Sequence, residues 1–347
     1  MTTNQQPGSE QGDLFAEQST PSSSISRTPA DPSDSPAPAD PSVAPVDNSS
    51  IGPLPMVMGL ASPPLTRMTL PYKDTDEHTR ETRNGNQVLR ITALGTRGLP
   101  FGIYPRLLLL WLTEQAREQA RIYGEDDPRR YTVDLGNSEH WFVSQLGISL
   151  GSNTFNQVKE QMIRLATTSF HLAEEGELDD GDTGYVMVKN IAAAENMELY
   201  WSKQGKRIKK GPDTLLPSYI QLSKPFFELL VQDSFPYNKE ILHHISRSPM
   251  AIDVYLWLTQ CLGSMHYNKR PVLTLRLETF MQQLGTSYDP TKAADRRDFR
   301  RKLDKALDRI REVWPSIRID VSPTVLVIHR TPPSVPFKRR KSPGQLT

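Results

Sequence analysis

DVYLWLTQCLG (Asp253–Gly263) is an apolar helical stretch, and its Trp-Leu-Thr has occurred before, at Trp111–Thr113 within PRLLLLWLTEQA (Pro105–Ala116). A three-residue match decides little alone; the residues downstream of each copy decide more. After the first come YTVDLG (Tyr131–Gly136), a short alternating run that reads as a strand, then HWFVSQLGIS (His140–Ser149), then a helix expected from about Thr154 to Ser169. After the second come PVLTLRL (Pro271–Leu277), TFMQQLGTS (Thr279–Ser287) and a helix expected from about Ala293 to Val313. Phe142-Val-Ser-Gln-Leu-Gly thus aligns with Phe280-Met-Gln-Gln-Leu-Gly. Each copy then enters strand-like sequence: YVMVKN and MELYWS in the first, SIRIDVSPTVLVIH in the second. Helix, strand, short helix, glycine turn, long helix, hairpin is the order of a winged helix. The expected fold is α+β, mainly helical: a tandem pair of winged-helix domains behind a disordered N-terminal tail.

Side-chain spacing supports the repeat. In the first long helix Phe155, Val158, Met162, Leu165 and Ser169 form one stripe, with Asn153, Asn156, Gln157, Glu160 and Arg164 opposite. In the second, Phe299, Leu303, Ala306, Leu307 and Ile310 form the stripe, and Arg297, Arg301, Lys305 and Asp308 point away. The glycine of each Gln-Leu-Gly suits a turn between helices. Ser248-Pro249 places a capping hydroxyl before a first-turn proline.

Composition sets the boundaries. Residues 1–66 carry 12 of the 29 prolines and too little apolar surface to offset chain entropy, so they read as a disordered tail. The first winged-helix domain is expected over 67–235, the second over 236–331, and a basic tail with Lys338, Arg339, Arg340 and Lys341 over 332–347. The longest apolar run, Leu107–Leu112, is far short of the roughly 20 residues of a membrane span. A single cysteine, Cys261, excludes an internal disulfide, and no leader is visible, so a cytoplasmic location is expected. Net charge is +1, but residues 285–347 hold fifteen basic and seven acidic residues, which points to one basic working surface.

The second long helix carries that surface. From Lys292 to Arg311 there are nine basic and four acidic residues. Lys292, Arg296, Arg297, Arg300, Arg301 and Lys305 are the candidate DNA contacts, Arg296 and Arg300 suiting phosphates because they lie nearer the stripe edge. A solvated charged face is the plainer alternative. Asn153, Asn156 and Gln157 make a secondary set in the first unit. KQGKRIKKG (203–211), with Lys206, Arg207, Lys209 and Lys210, fits a wing tip on backbone phosphates or an ordinary solvated loop. The acidic EEGELDDGD (174–182) would be repelled by phosphate. In the tail, Gln11, Leu14 and Phe15 of QGDLF resemble peptides that bacterial proteins insert into the sliding clamp of DNA polymerase; Gly12 departs from the usual leucine, and stray apolar residues are the alternative. No phosphate-binding loop is present, His243-His244 lacks the spacing of a metal-dependent nicking site, and Trp111, Trp257 and Cys261 read as core. No enzyme activity, cofactor or metal is expected.

RSPMAIDVYLWLT (247–259), LPFGIYPRLLLLWLTEQA (99–116) and FRRKLDKAL (299–307) resemble the signature blocks of the plasmid-encoded RepA family of replication initiators, across about residues 85–331. The resemblance implies binding to direct repeats (iterons) in double-stranded DNA at a plasmid origin, help in opening the adjacent duplex, recruitment of the host helicase, and homodimers that repress their own gene. A tandem winged-helix transcription regulator would use the same chemistry, and a nicking or joining enzyme is the reading from another class. Composition and spacing by themselves reach only a tandem DNA-binding architecture.

Overall fold

The structure, a computed structural model, describes residues 58–335 apart from 64–65, 67–69, 85–86, 150, 152, 178–183, 201–217 and 285–287. Met58–Ala61 (β1) comes first, then the antiparallel pair Thr79–Asn84 (β2) and Gln87–Ala93 (β3). The first Trp-Leu-Thr helix is Ile103–Ile122 (α1), followed by Thr132–Asp134 (β4), Glu139–Gln145 (α2) and Thr154–Ala166 (α3). Next come Thr168–Glu177 (β5), Gly184–Ala192 (β6), Ala194–Glu198 (β7) and Tyr219–Leu222 (β8). Lys224–Val231 (α4), Phe235–Asn238 (β9) and Lys239–Ile245 (α5) lead to the second Trp-Leu-Thr helix, Pro249–Tyr267 (α6). Val272–Arg276 (β10), Leu277–Leu284 (α7), Ala293–Val313 (α8), Ile319–Val321 (β11) and Val325–His329 (β12) complete an α+β fold.

The two halves share one three-stranded sheet order, although the first also carries β5 and β6 in a separate four-stranded sheet. In the first, β8 lies between β4 and β7; in the second, β12 lies between β10 and β11. The strand that comes after each Trp-Leu-Thr helix therefore pairs with the last strand of its unit. Trp111 meets Phe142 edge-on at 5.4 Å, and Trp257 meets Phe280 edge-on at 4.7 Å. Each phenylalanine opens the Phe-x-x-Gln-Leu-Gly segment, so the aligned residues occupy matching places. Thr113 and Thr259 also match, each donating its hydroxyl to the carbonyl four residues back, at 2.8 and 2.9 Å. Buried neighbours on both sides explain why such apolar helices carry threonine there, since a hydroxyl away from water needs a partner.

Local signals set most element ends. The Ser248 hydroxyl accepts the Ala251 N–H at 3.3 Å with Pro249 behind it, as the sequence predicts. Gly147, of the first Gln-Leu-Gly, sits at φ +69°, where a side chain would be strained. Gly285, its counterpart, lies outside the described residues. The first long helix stops at Ala166, short of the expected Ser169. Thr167 and Thr168 return their hydroxyls to Ile163 and Arg164, at 3.0 and 2.7 Å, and β5 begins at once. The second long helix spans 293–313 as expected, with Phe299, Leu303, Ala306, Leu307 and Ile310 buried.

Three further expectations need correction. YVMVKN and MELYWS do not pair as a hairpin: YVMVKN belongs to β6, the edge of a sheet ordered β2-β3-β5-β6, whereas the second stretch starts within β7, which pairs with β8. Ordered chain also begins before residue 67. Leu60 and Ala61 are buried, β1 pairs along β9 from Met58↔Asn238 to Ala61↔Phe235, and Ser62 donates to the Leu229 carbonyl at 2.6 Å. The apolar run Met56–Ala61 inside a proline-rich tail is the signal that marks it. At the other end, Val335 is buried and Ser334 accepts the Tyr255 hydroxyl at 3.2 Å, so the first residues of the expected tail pack on the body.

One contiguous core runs through both halves, and α1 and α6 meet at a charged centre. Arg106 grips Asp253 with two bonds of 2.7 Å and donates again to the carbonyls of Leu70 and Gly102, at 2.7 and 2.6 Å. Tyr72 lies over the guanidinium at 5.1 Å and donates to the Leu284 carbonyl at 2.5 Å. Burial opposes the charge, but the Asp253 carboxylate raises the Arg106 pKa, so the guanidinium stays ionised. A second link joins Glu114 of α1 to Lys239 at 2.6 Å and to the Tyr237 hydroxyl at 3.2 Å.

Candidate nucleic-acid interface

The outward face of α8 is set by its inward one. With Phe299, Leu303, Ala306 and Ile310 packed inside, the 3.6-residue period turns Arg297, Arg301, Lys305 and Arg309 outward in one row, all exposed. Ala293 and Ala294, at the head of the helix, are exposed and small, which leaves the first turn open to close approach. Lys292 stands at the N-cap position, 3.4 Å from Asp289 and largely exposed.

Arg296 and Arg300 are committed differently. Arg296 donates to the carbonyls of Pro290 and Thr291, at 2.7 and 3.0 Å, and so fixes the loop that enters α8. Arg300 donates to the Val321 carbonyl at 2.6 Å and pairs with Asp304 at 3.3 Å. It thereby holds the end of β11 against the helix. Both were expected as phosphate contacts; their position at the stripe edge brings backbone carbonyls within reach of some of their donors, and both side chains stay partly exposed. The turn Ser322–Thr324, tip of the β11–β12 hairpin, is exposed beside them, and the Leu277 N–H donates to Thr324 at 2.8 Å.

Asp298 engages one member of the row, Arg301. It bonds Arg301, and Lys302 lies 2.8 Å away. Lys302 first, then Arg301, holds its carboxyl down at about 2. Lys302 also donates to the Tyr288 hydroxyl and lies over that ring, so it is turned aside from Arg297 and Lys305.

In the first unit the outer face of α3 is largely covered. Arg164 is drawn down over Phe101 at 5.0 Å, with Asp74 at 2.8 Å and the Leu99 carbonyl at 3.1 Å. Glu160 pairs with Arg97 and with Arg164. Asn153, Asn156 and Gln157 stay exposed on the first turns, although Gln157 accepts the Tyr104 hydroxyl at 3.0 Å. Exposed Lys159 belongs with them and escapes the sequence reading; a basic residue three positions after Asn156 is the available signal. The structure brings Arg297, Arg301 and Lys305 together and places the amide set on the other unit. Lys206, Arg207, Lys209 and Lys210 lie outside the described residues, in the segment joining β7 to β8. Gln11, Leu14 and Phe15 also lie outside them. Among the described residues, no cluster of three metal-ligating side chains exists, and no helix is long and apolar enough to cross a membrane.

Comparison with known proteins places the chain among replication initiators. Residues 99–276, just over half of the 347, match the family described as plasmid encoded RepA protein, and the chain belongs to that family. The matched stretch ends at the last residue of β10, before α7 and α8. Two crystal structures of domains 2 and 3 of RctB are similar. The first has 12% identity, covers 76% of this chain and 96% of that one, and has a TM-score of 0.42. The second, of selenomethionine derivatives, has 12% identity, covers 77% and 95%, and has a TM-score of 0.44. No curated protein matches.

Proposed function

We propose that this RepA-family chain is a sequence-specific, non-enzymatic initiator of plasmid replication built from two winged-helix units, with α8 as its principal reading helix. The observation that supports the reading best is the outward row Arg297, Arg301, Lys305 beside the β11–β12 hairpin. A helix with basic first turns fits the major groove, where an arginine can grip guanine through two hydrogen bonds. The hairpin tip then falls over the neighbouring backbone. The matched sheet orders support a second unit of the same kind, with Asn153 and Asn156 at its helix head and KQGKRIKKG between its last two strands. Origin repeats are the proposed target. The host helicase, a sliding clamp bound through QGDLF, and a second copy of the chain are the proposed protein partners.

Footprinting on the DNA flanking the gene tests the proposal directly: protection of spaced direct repeats is the expected result. Arg301→Ala then relaxes base preference at one position by about 1–3 kcal/mol. Lys209→Ala weakens all duplexes alike and reduces the salt slope by about one unit. Identical behaviour of the two variants would refute the division of labour. Maintenance of an origin-bearing plasmid by the cloned gene separates an initiator from a pure repressor.

A further inference from the structure

Strand β11 is the edge of its sheet, and α8 closes that edge. The Arg318 carbonyl accepts the His329 N–H at 3.0 Å, and the Ser322 N–H donates to the Val325 carbonyl at 2.8 Å, so these two positions face β12. Bonded and unbonded positions alternate in an antiparallel pair, which turns the carbonyls of Ile319 and Val321 away from β12. Arginines of α8 take both. Arg311 donates to Ile319 at 2.9 Å, and Arg300 donates to Val321 at 2.6 Å. Each guanidinium is steadied by a carboxylate of the same helix, Arg311 by Asp308 at 3.1 Å and Arg300 by Asp304 at 3.3 Å.

With 3.6 residues per turn, Arg300, Asp304 and Arg311 fall on one flank of α8, between its buried stripe and the outward row Arg297, Arg301, Lys305. The two arginines start about 16 Å apart along the helix and reach carbonyls about 7 Å apart along the strand. They make a strap with two ends, and its order sets a direction. The last turns of α8 hold the start of β11, and an earlier turn holds its end. The strand therefore runs back along the helix, and the exposed turn Ser322–Thr324 points towards the first turns of α8, where Arg297 stands.

We infer that Arg300 and Arg311 are positioning residues for the hairpin: by holding both edge carbonyls of β11 they deliver its tip to the DNA backbone beside the α8 contacts. The inference rests on α8 as the reading helix and adds what sets the angle of the hairpin against it. Arg311 is the informative member, because it lies on the last turn, far from the helix head, and acts through the strand it holds. Ser322, Pro323 and Thr324 carry no charge, so backbone contacts made by the tip release no counter-ions from the DNA.

The test uses the full chain, the duplex flanking the gene, and Arg311→Met, which keeps the length of the side chain and removes its donors. Affinity falls roughly 2- to 12-fold, the range for one lost hydrogen bond, while base preference and salt slope stay at their original values. Hydroxyl-radical cleavage rises at the sugars next to the α8 contacts, and Arg311→Lys, which keeps a donor for the carbonyl, restores their protection. In the absence of DNA, methyl NMR relaxation reads the strap itself: Val321 and Val325 gain motion in Arg311→Met and buried Leu303 does not. Unchanged valine methyls overturn the inference. So does a lower urea midpoint with an intact footprint, which would make the residue structural only. A salt slope reduced by about one unit also overturns it, because Arg311 would then be a phosphate contact itself. Loosened valines in a chain that binds no duplex would count against the function proposed above and leave the strap standing.

Discussion

Asp298 decides how freely Arg301 can leave α8. Arg301 is exposed, yet one of its guanidinium nitrogens is held by a carboxylate one turn away. A phosphate or guanine approaching the row must compete with that carboxylate, so Asp298→Asn is expected to tighten duplex binding about two- to fivefold, the strength of an exposed ion pair. Weaker binding by this variant would show that Arg301 is no contact. The same pair fixes a pH dependence. A carboxyl held at about 2 stabilises the helix above the ordinary aspartate range, and that contribution drains away as pH falls from about 4 through 2. NMR titration of the Asp298 carboxyl is expected to give its midpoint near 2. The outward direction of Arg301 can be read from spacing alone. Its carboxylate partner needs only the i,i+3 rule, but the carbonyls that claim Arg296 and Arg300 belong to a loop and a hairpin whose approach no local pattern encodes.

Helix α8 is fully visible in the sequence because 21 residues of strict periodicity leave one solution, and its core stripe is buried residue for residue. Leu303→Ala, at a fully buried position on that stripe, is expected to cost about 2–5 kcal/mol, seen as a lower urea midpoint. The hairpin of the first unit is misread for the opposite reason. YIQL in β8 is four residues long and lies just after a proline, too short for alternation to declare itself. YVMVKN has the stronger strand composition, but its partner is β5, and which strands pair is a long-range choice that composition does not carry. Strand β1 is hidden because five apolar residues and a glycine are averaged into a proline-rich stretch.

Charge and core cross between the two halves of the chain. Arg106 and Asp253 lie 147 positions apart on the two Trp-Leu-Thr helices, so neither residue alone reveals the pair. Arg106→Met leaves Asp253 buried without a counter-charge and is expected to cost about 3–5 kcal/mol in urea unfolding. The double substitution Arg106→Met/Asp253→Leu is expected to recover most of that, because apolar residues of similar size can replace a buried ion pair. A double variant as unstable as the single one would place the value of the site in its carbonyl bonds.

That crossing also makes the chain divisible in a useful way. Arg247, exposed between α5 and α6, is a point where the gene could be split into two coding frames. Each fragment made alone would present a greasy helix flank and a stranded ion, and should precipitate. Produced together in one cell, the fragments hold matching halves of the same lock, and their reunion would offer a reporter that responds whenever two tethered proteins meet.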